Sequence, residues 1–373
     1  MKYIISMLFS FLVVEYSHAY SWQECGGKKK ILWEKSNHKV TMKLNTVSFP
    51  EGGSFRASAI KSMQKWNDVP ANIELVPISK TASSVSTSDS DNDVFFSSSL
   101  FSQDDSTLGI TLSRWDCSYI DYGFGRHWGD VNMNSADVYF NTNYSWTTQT
   151  SNELKTAITP YWSNGKKVFN FESVAIHEFG HALGFNHENR IFSNMNSHYP
   201  NGGPQGRVQG VHMEDTQGLI YLYGTAGQRL DVASFGVSVT NNSSNQSVDT
   251  PLNSFSTAYV APGGSLKMRF GVQNTGNVPA SNVQVHWYLS TNNYVSTGDI
   301  KLPAYTSYST LSTWGQHEVT NTIPSNLATG TYYLGFIVDP YNTITEADEN
   351  NNSMVVRKVV VAIASNDDDD DDD

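Results

Sequence analysis

Three histidines and a glutamate lie in one run of this chain, His-Glu-Phe-Gly-His-Ala-Leu-Gly-Phe-Asn-His at residues 177–187. On a helix, the spacing of His177 and His181 places both imidazoles on one face about one turn apart, where they can bind the same cation. Gly184 can adopt a positive φ without a steric clash, so it is expected to end the helix and return His187 to the same point. The pattern predicts a zinc site whose fourth position is left for water.

The chemistry that such a site supports is hydrolysis. Glu178 follows the first histidine, so its carboxylate is expected to stand beside the water rather than on the metal, where a general base must be. Zinc lowers the pKa of a bound water from about 15.7 toward about 7, while the carboxylate takes the proton and passes it to the leaving amine. An ordinary helix with hydrogen-bonded core histidines is the alternative, and the agreement of all the offsets argues against it.

The run fits H-E-x-x-H-x-x-G-x-x-H and resembles the signature of the metzincin metallopeptidases, in particular the matrixin-like branch. In that family a methionine turn lies beneath the metal, and Met195 stands where such a turn would fit; an apolar gap-filler is the alternative. Residues 214–224 resemble the closing helix of a matrixin catalytic domain. The resemblance implies an α+β domain, a twisted mixed sheet with an active-site helix, that cleaves protein or peptide substrates with one catalytic Zn²⁺.

Two departures from the family limit what the resemblance carries over. Asn196 and Ser197 follow Met195, so the tyrosine that some metzincins place two residues after this methionine is missing. His127 and Asp130 are too few to indicate a second, structural zinc. A single metal site is therefore expected.

The elements that would position the site begin with a strand over residues 40–44 and a helix over residues 55–66, judged from their periodicities. Asn170 is expected to cap the active-site helix. Ala136, Val138 and Phe140 alternate with polar and apolar neighbours, and by resemblance their strand is identified as the edge above the cleft, where an extended peptide adds through main-chain hydrogen bonds. An interior strand is the alternative, because alternation does not reveal an edge.

The first residues predict export. Lys2 precedes an apolar stretch over residues 4–14, and Ser17-His18-Ala19 forms a small-x-small cleavage site, so residues 1–19 are predicted to be a signal peptide of a secreted, extracellular protein. The apolar stretch is too short for a bilayer, and no other stretch approaches about 20 apolar residues, so no transmembrane segment is expected.

Cys25 and Cys117 are the chain's two cysteines, and in an oxidising compartment a disulfide between them is expected. The alternative, by resemblance to matrixin pro-segments, is that the Cys25 thiolate caps the zinc. The arginine and proline that flank such a switch are absent.

The formal net charge of −12 includes the seven aspartates of residues 367–373, so the rest of the chain is only mildly acidic. Residues 364–373 are predicted to be a disordered acidic tail. No basic, aromatic-interleaved stretch is present, and binding of nucleic acid is therefore not expected.

After Gly224, short β-rich runs alternate with Asn, Ser, Gly and Pro turns up to about residue 363, which predicts an all-β, immunoglobulin-like sandwich. Residues 330–340 and 346–351 resemble the CARDB module of bacterial extracellular proteins, which implies a bacterial source but no particular ligand. A cell-surface or matrix ligand is the partner considered for it. Candidate Ca²⁺ ligands in this part are Asp339, Asp348 and Glu349, with a solvated acidic turn as the alternative.

The predicted organisation is thus a signal peptide at 1–19, a zinc metallopeptidase domain at 20–225, a CARDB-like sandwich at 231–363 and the tail at 364–373. Two functions follow from it: a secreted zinc endopeptidase with a targeting sandwich, or an adhesion or binding protein that uses an inactive peptidase scaffold. Glu178 favours the enzyme, since a scaffold has no reason to keep a buried carboxylate beside a cation-binding triad.

Overall fold

The structure, a computed structural model, describes residues 21–25, 29–34, 39–81, 89–101, 106–115, 131–148, 161–163, 166–189, 193–197, 210–235 and 258–363. The predicted signal peptide and acidic tail lie outside these residues. Two separate large apolar cores, one before and one after residue 230, show that the described chain folds into an N-terminal and a C-terminal domain. No helix among the described residues is long and apolar enough to cross a membrane.

A seven-stranded mixed sheet forms the base of the N-terminal domain, with strand order β1-β2-β7-β5-β3-β4 and β6 added against β7. Its strands are β1 (Glu24–Cys25), β2 (Lys29–Leu32), β3 (Lys39–Asn45), β4 (Glu74–Lys80), β5 (Asp93–Ser97), β6 (Gly109–Trp115) and β7 (Val131–Asn141). The pairs among β2, β3, β4, β5 and β7 are parallel, whereas β6 is antiparallel to β7 and β1 to β2. A three-stranded sheet of β8 (Ser145–Thr147), β9 (Tyr161–Ser163) and β10 (Lys166–Asn170) follows.

Three helices lie in the described part of this domain: α1 (Ser54–Asn67), α2 (Phe171–Ala182) and α3 (Met213–Tyr223). α1 lies where the periodicity of residues 55–66 predicted a helix, buries Ala59, Met63 and Trp66 along one face, and packs against α2. The indole nitrogen of Trp66 donates a hydrogen bond to the carbonyl oxygen of Ile176 at 2.8 Å. This hydrogen bond ties α1 to α2.

The predicted cap of α2 is confirmed: the side chain of Asn170 accepts a hydrogen bond from the backbone nitrogen of Ser173 at 3.0 Å. One of the four unpaired N–H groups at the start of the helix is thereby satisfied.

The prediction that Ala136, Val138 and Phe140 lie on a substrate edge is wrong. Their strand, β7, is hydrogen-bonded to both β5 and β6, and all three side chains are fully buried. The intervening residues of this part of β7 are buried as well, so the alternation does not mark an exposed face. Among the described strands β6 pairs only with β7, so β6 has an open edge, as do β1 and β4 at the two ends of the sheet.

The C-terminal domain is all-β, as predicted. One sheet contains β11 (Val232–Phe235), β13 (Ser265–Asn274) and β16 (Trp314–Thr322), and the other contains β12 (Ala258–Val260), β18 (Ser353–Val361), β17 (Gly330–Val338), β14 (Ala280–Ser290) and β15 (Ile300–Leu311). The core includes Phe270, Trp287 and Phe336, whose rings meet with centroids 5.2–5.6 Å apart. We call this domain the sandwich.

The connection between the domains is hydrogen-bonded on both sides. The backbone nitrogen of Ala226 donates to Pro70 at 2.9 Å on the N-terminal side. Three residues later, the nitrogen of Arg229 donates to the side-chain oxygen of Asn277 at 2.8 Å, and the oxygen of Arg229 accepts from the nitrogen of Val278 at 3.1 Å. The link is a fixed part of both domains rather than a flexible tether.

Candidate metal centre

α2 supplies His177, Glu178 and His181, and the turn after it supplies His187. Gly184 ends this turn with φ of +97°, a conformation that L side chains rarely adopt. A Cβ at this position would also lie 2.8 Å from the carbonyl oxygen of Ile31 in β2. The chain therefore reverses at Gly184 against the sheet, as its sequence position predicted, and returns His187 toward the helix.

The three imidazoles converge. Nε2 of His181 lies 3.1 Å from Nε2 of His177 and 3.2 Å from Nε2 of His187. Ligand atoms of all three residues lie within 4.8 Å of one another. With Zn–N distances of about 2.0–2.1 Å, a tetrahedral ion separates its ligand atoms by about 3.3 Å, so the spacing of these nitrogens suits zinc.

Backbone carbonyls set the tautomers of two of these rings. Nδ1 of His177 lies 2.8 Å from the oxygen of Asn194, and Nδ1 of His181 lies 2.9 Å from the oxygen of Phe185. A carbonyl oxygen only accepts, so each Nδ1 carries the proton and each Nε2 keeps its lone pair. Facing lone pairs repel one another in the absence of a cation, and this donor set therefore fits a metal ion.

Burial keeps the imidazoles of His177 and His181 neutral. It lowers the pKa of His177 well below its usual value, and the charges of His181 and His187 lower it further. Burial lowers the pKa of His181 to about 4, against the hydrogen bond to Phe185, which favours the charged form. Neutral imidazole is the form that binds metal, so these two residues are ready to do so at neutral pH.

Glu178 is buried beside the triad and has one polar partner that the geometry identifies. The hydroxyl of Thr111 in β6 lies 2.8 Å from its Oε2. Burial raises the pKa of Glu178 to about 8, although the hydrogen bond from Thr111 opposes the shift. A cation on the neighbouring histidines would favour the charged form of this carboxylate.

Met195 lies directly beneath the helix and is fully buried. A Cβ on Gly180 would lie 2.3 Å from its sulfur, so the absence of a side chain at Gly180 is what admits the methionine between the turns that carry His177 and His181. The oxygen of Met195 accepts from the nitrogen of Glu188 at 2.8 Å, which ties the turn to the segment just after His187. We call residues 193–196 the methionine turn.

Asp215, in the first turn of α3, holds the methionine turn. It accepts from the hydroxyl of Ser193 and from the backbone nitrogen of Asn194, both at 2.7 Å. Burial raises the pKa of Asp215 to about 7, and these two hydrogen bonds counteract the shift. The roles of Asp215 and Asn194 were not predicted from the sequence. The only signal for Asp215 is an acidic residue at the start of a helix, which is ordinarily explained by the favourable interaction of its charge with the helix dipole.

A cleft of about 900 Å³ runs past the triad between β6, α2 and the methionine turn. One wall of the cleft is formed by residues 106–108 and by residues 109–113 of β6. At one end Gln23 donates from Nε2 to the carbonyl oxygen of His181 at 3.1 Å. The cleft therefore brings an open strand edge, the histidines and Glu178 into one space.

Comparison with known families identifies both parts of the chain. The family model described as Matrixin matches residues 124–224, which contain the histidines, Glu178, Met195 and Asp215. The CARDB model matches residues 248–356. The chain carries a matrixin region followed by a CARDB domain.

Solved structures of two domains match about a third of this chain at low identity. The CARDB domain of a Pyrococcus furiosus protein, in complex with di-metal ions, is 19% identical over 36% of this chain and 89% of its own, with a TM-score of 0.23. A domain of a Methanosarcina acetivorans protein is 20% identical over 28% of this chain and 82% of its own, with a TM-score of 0.22. A search of curated proteins finds no match to this chain.

The candidate Ca²⁺ ligands of the CARDB domain, Asp339, Asp348 and Glu349, do not form a group close enough to share an ion. Asp339 accepts from Thr343 and from the nitrogen of Ile344, whereas Asp348 binds Lys65. Among the residues that the structure describes, His177, His181 and His187 are the group of three or more potential ligands close enough to share an ion. The acidic residues instead hold turns and a domain contact.

Cys25 belongs to the core of the N-terminal domain and does not line the cleft. A thiolate cap on the metal is therefore not supported. Cys117 lies outside the described residues, and the disulfide between the two cysteines stays a prediction. His127 and Asp130 lie outside them as well.

Proposed function

We propose that this chain is a secreted, zinc-dependent endopeptidase that hydrolyses peptide bonds of extracellular proteins. The observation that carries the proposal is the convergence of three imidazole nitrogens beside a buried carboxylate, in a cleft with an open strand edge. The matrixin match supports a metallopeptidase, and the metal typical of that family is zinc. The catalytic domain would then have the metzincin-like α+β fold.

The substrate is proposed to bind as an extended strand along β6. Gly109, Ile110, Thr111 and Leu112 line the cleft, and their strand pairs only with β7 among the described strands. An extended peptide can add to such an edge through main-chain hydrogen bonds, with little dependence on its side chains. Its scissile bond would lie over the histidines.

Glu178 is assigned proton transfer. A bound zinc would lower the pKa of a water and polarise the scissile carbonyl. Thr111 holds Oε2 of Glu178, which leaves Oε1 to take a proton from the water and deliver it to the leaving amine. His177, His181 and His187 would hold the ion, and Met195 would support them from below.

Glu178→Ala is the test of this assignment. The purified mature chain is incubated with a diverse peptide library, with and without a chelator, and the cut sites are read by mass spectrometry. We expect Glu178→Ala to keep bound zinc, measured by elemental analysis, and to lose cleavage by about 100-fold or more. His181→Ala should lose both. Cleavage that survives the chelator, or that survives Glu178→Ala, would contradict the proposal.

The second candidate function is adhesion or ligand binding on an inactive peptidase scaffold, and the CARDB domain is consistent with a binding role. A cell-surface or matrix ligand is the proposed partner of that domain, with export by the signal peptide at residues 1–19. Zinc binding without cleavage of any library peptide would favour this candidate.

A further inference from the structure

The sandwich contacts the N-terminal domain at the start of α3. Gln273, at the end of β13, is 5% exposed because its side chain is inserted against His212 and Met213. Its Oε1 accepts from the backbone nitrogen of Met213 at 3.1 Å, and its Nε2 lies 3.0 Å from Nδ1 of His212. One amide therefore satisfies two buried groups of the other domain.

His212, which contacts Gln273, is also hydrogen-bonded to the methionine turn. Its backbone nitrogen donates to the side-chain oxygen of Asn194 at 2.8 Å. The backbone oxygen of Asn194 accepts in turn from Nδ1 of His177. Two residues thus separate an amide of the sandwich from a histidine of the triad, and each step is a hydrogen bond between buried or half-buried groups.

The domains are also held together elsewhere. Gln217 in α3 donates to the oxygen of Gly276 at 3.4 Å, and Lys65 in α1 lies 2.7 Å from the carboxylate of Asp348. Together with the hydrogen-bonded connection through Arg229, these contacts keep Gln273 against α3 rather than leaving it to meet α3 transiently.

We propose that Gln273 of the sandwich is a positioning residue for the metal centre, acting through His212 and Asn194 on the orientation of His177. The proposal rests on the proposed function, in that the triad binds a metal. Partners of metal-bound histidines fix the tautomer and ring orientation, so loosening them weakens metal binding. Without the amide of Gln273, the buried nitrogen of Met213 loses its partner, so His212, which binds Asn194, is held less firmly, while Asp215 still binds the methionine turn.

The test compares Gln273→Met with Gln284→Met in the full mature chain. Both changes replace an amide by an uncharged side chain of similar length. Gln284 offers a matched control because it makes a similar glutamine–histidine contact, to His286 at 3.0 Å, but entirely within the sandwich. Thermal unfolding followed by tryptophan fluorescence establishes that each variant is folded. If Gln273→Met does not fold, Gln273→Asn, which keeps the amide on a shorter side chain, takes its place.

Three readouts are compared: the Zn²⁺ dissociation constant from competition with a fluorescent chelator, the absorption spectrum of the Co²⁺-loaded protein, and amide hydrogen exchange at residues 193–197 without metal. We expect Gln273→Met to weaken Zn²⁺ binding about tenfold, the lower end of the range for partners of metal ligands. It should also alter the Co²⁺ spectrum and speed exchange in the methionine turn. Gln284→Met should change none of the three.

Equal zinc affinity, equal spectra and equal exchange in the two variants would overturn the proposal. Tight zinc binding by the unaltered chain without peptide cleavage would contradict the proposed function alone, because none of the three readouts requires hydrolysis. If the unaltered chain did not bind Zn²⁺, the proposed function would fail, and the exchange comparison would still decide whether Gln273 holds the methionine turn.

Discussion

The hydroxyl oxygen of Thr111 lies 2.8 Å from Oε2 of Glu178 and 2.9 Å from the backbone oxygen of the same residue. A hydroxyl has one proton, so Thr111 donates to one of these oxygens at a time. The strand proposed to hold the substrate thus also holds the proposed general base. A shift of β6 on substrate binding would therefore change the hydrogen bond between Thr111 and the carboxylate of Glu178.

Thr111→Val should raise the pKa of Glu178, because the hydrogen bond it removes favours the charged carboxylate. We expect the acidic limb of the kcat/KM profile to move to higher pH, with zinc content unchanged. The profile is measured on a library-derived peptide between pH 5 and pH 9, a range chosen as roughly the working range of buried carboxylates. Ser113→Ala, on the same strand, is the control; equal shifts in both variants would show that the effect comes from the strand in general.

Gly180→Ala should destabilise the N-terminal domain. The added methyl group would lie 2.3 Å from the sulfur of Met195 and 2.9 Å from Cζ2 of Trp66. Overpacking of this kind costs about 1–3 kcal/mol and is measured by urea unfolding. Met195→Val in the same chain shortens the opposing side chain and should recover part of the loss. If Gly180→Ala unfolded at the same urea midpoint as the unaltered chain, the close packing of Gly180 against Met195 and Trp66 would be disproved.

Asp215 should make the metal-free protein less stable as the pH rises. Its pKa is 3.8 in a model peptide and about 7 when folded, so the folded state binds more protons between these values. The stability from this group is fully present below about pH 4 and is lost as the pH rises through about 7. The difference in unfolding free energy between the unaltered chain and Asp215→Asn should therefore shrink across this window, by at most about 1.4 kcal/mol per pH unit.

Urea unfolding at several pH values measures this difference, and comparison with Asp215→Asn removes the opposite contribution of the histidines. Asp68→Asn reports the effect of removing an exposed acid instead. A difference that stays level or grows with pH would mean that Asp215 is charged throughout the window.

The ion pair between Lys65 and Asp348 should contribute to domain docking. Burial alone would raise the pKa of Asp348, but the hydrogen bond and charge of Lys65, together with hydrogen bonds from Asn350, outweigh it and lower the pKa. A double-mutant cycle with Lys65→Met and Asp348→Asn should give a coupling energy of about 1 kcal/mol. The exposed pair Lys39 and Glu74, with side chains 67% and 48% accessible, serves as control and should couple far more weakly. Equal coupling in the two pairs would show that Lys65 and Asp348 are solvated in solution.

The local part of the site was predictable from the sequence. His177, His181 and Glu178 lie on one helix, and Gly184 and His187 follow within a single turn, so backbone geometry alone determines where these side chains point. The all-β character of the sandwich was also predictable, because turn residues interrupt its strands at short intervals.

The relations between distant elements were not predictable. Alternation in residues 136–140 shows a strand but not its neighbours, and for that reason the edge was placed on β7 instead of β6. Gln273 and His212 are 61 residues apart and belong to different domains, so no periodicity connects them. Asp339 and Asp348 are close in sequence, yet each is occupied by its own partner, which sequence proximity does not reveal.

The hydrogen bonds at Ala226 and Arg229 hold the two domains in one orientation, which would restrict the peptide bonds that the proposed peptidase can reach. A catalytic domain on a flexible linker can reach every peptide bond within the length of that linker. A catalytic domain held in one orientation can act in only one direction. A target protein bound to the sandwich would therefore be cleaved only where an unfolded segment reaches the cleft, at one fixed distance from the binding site.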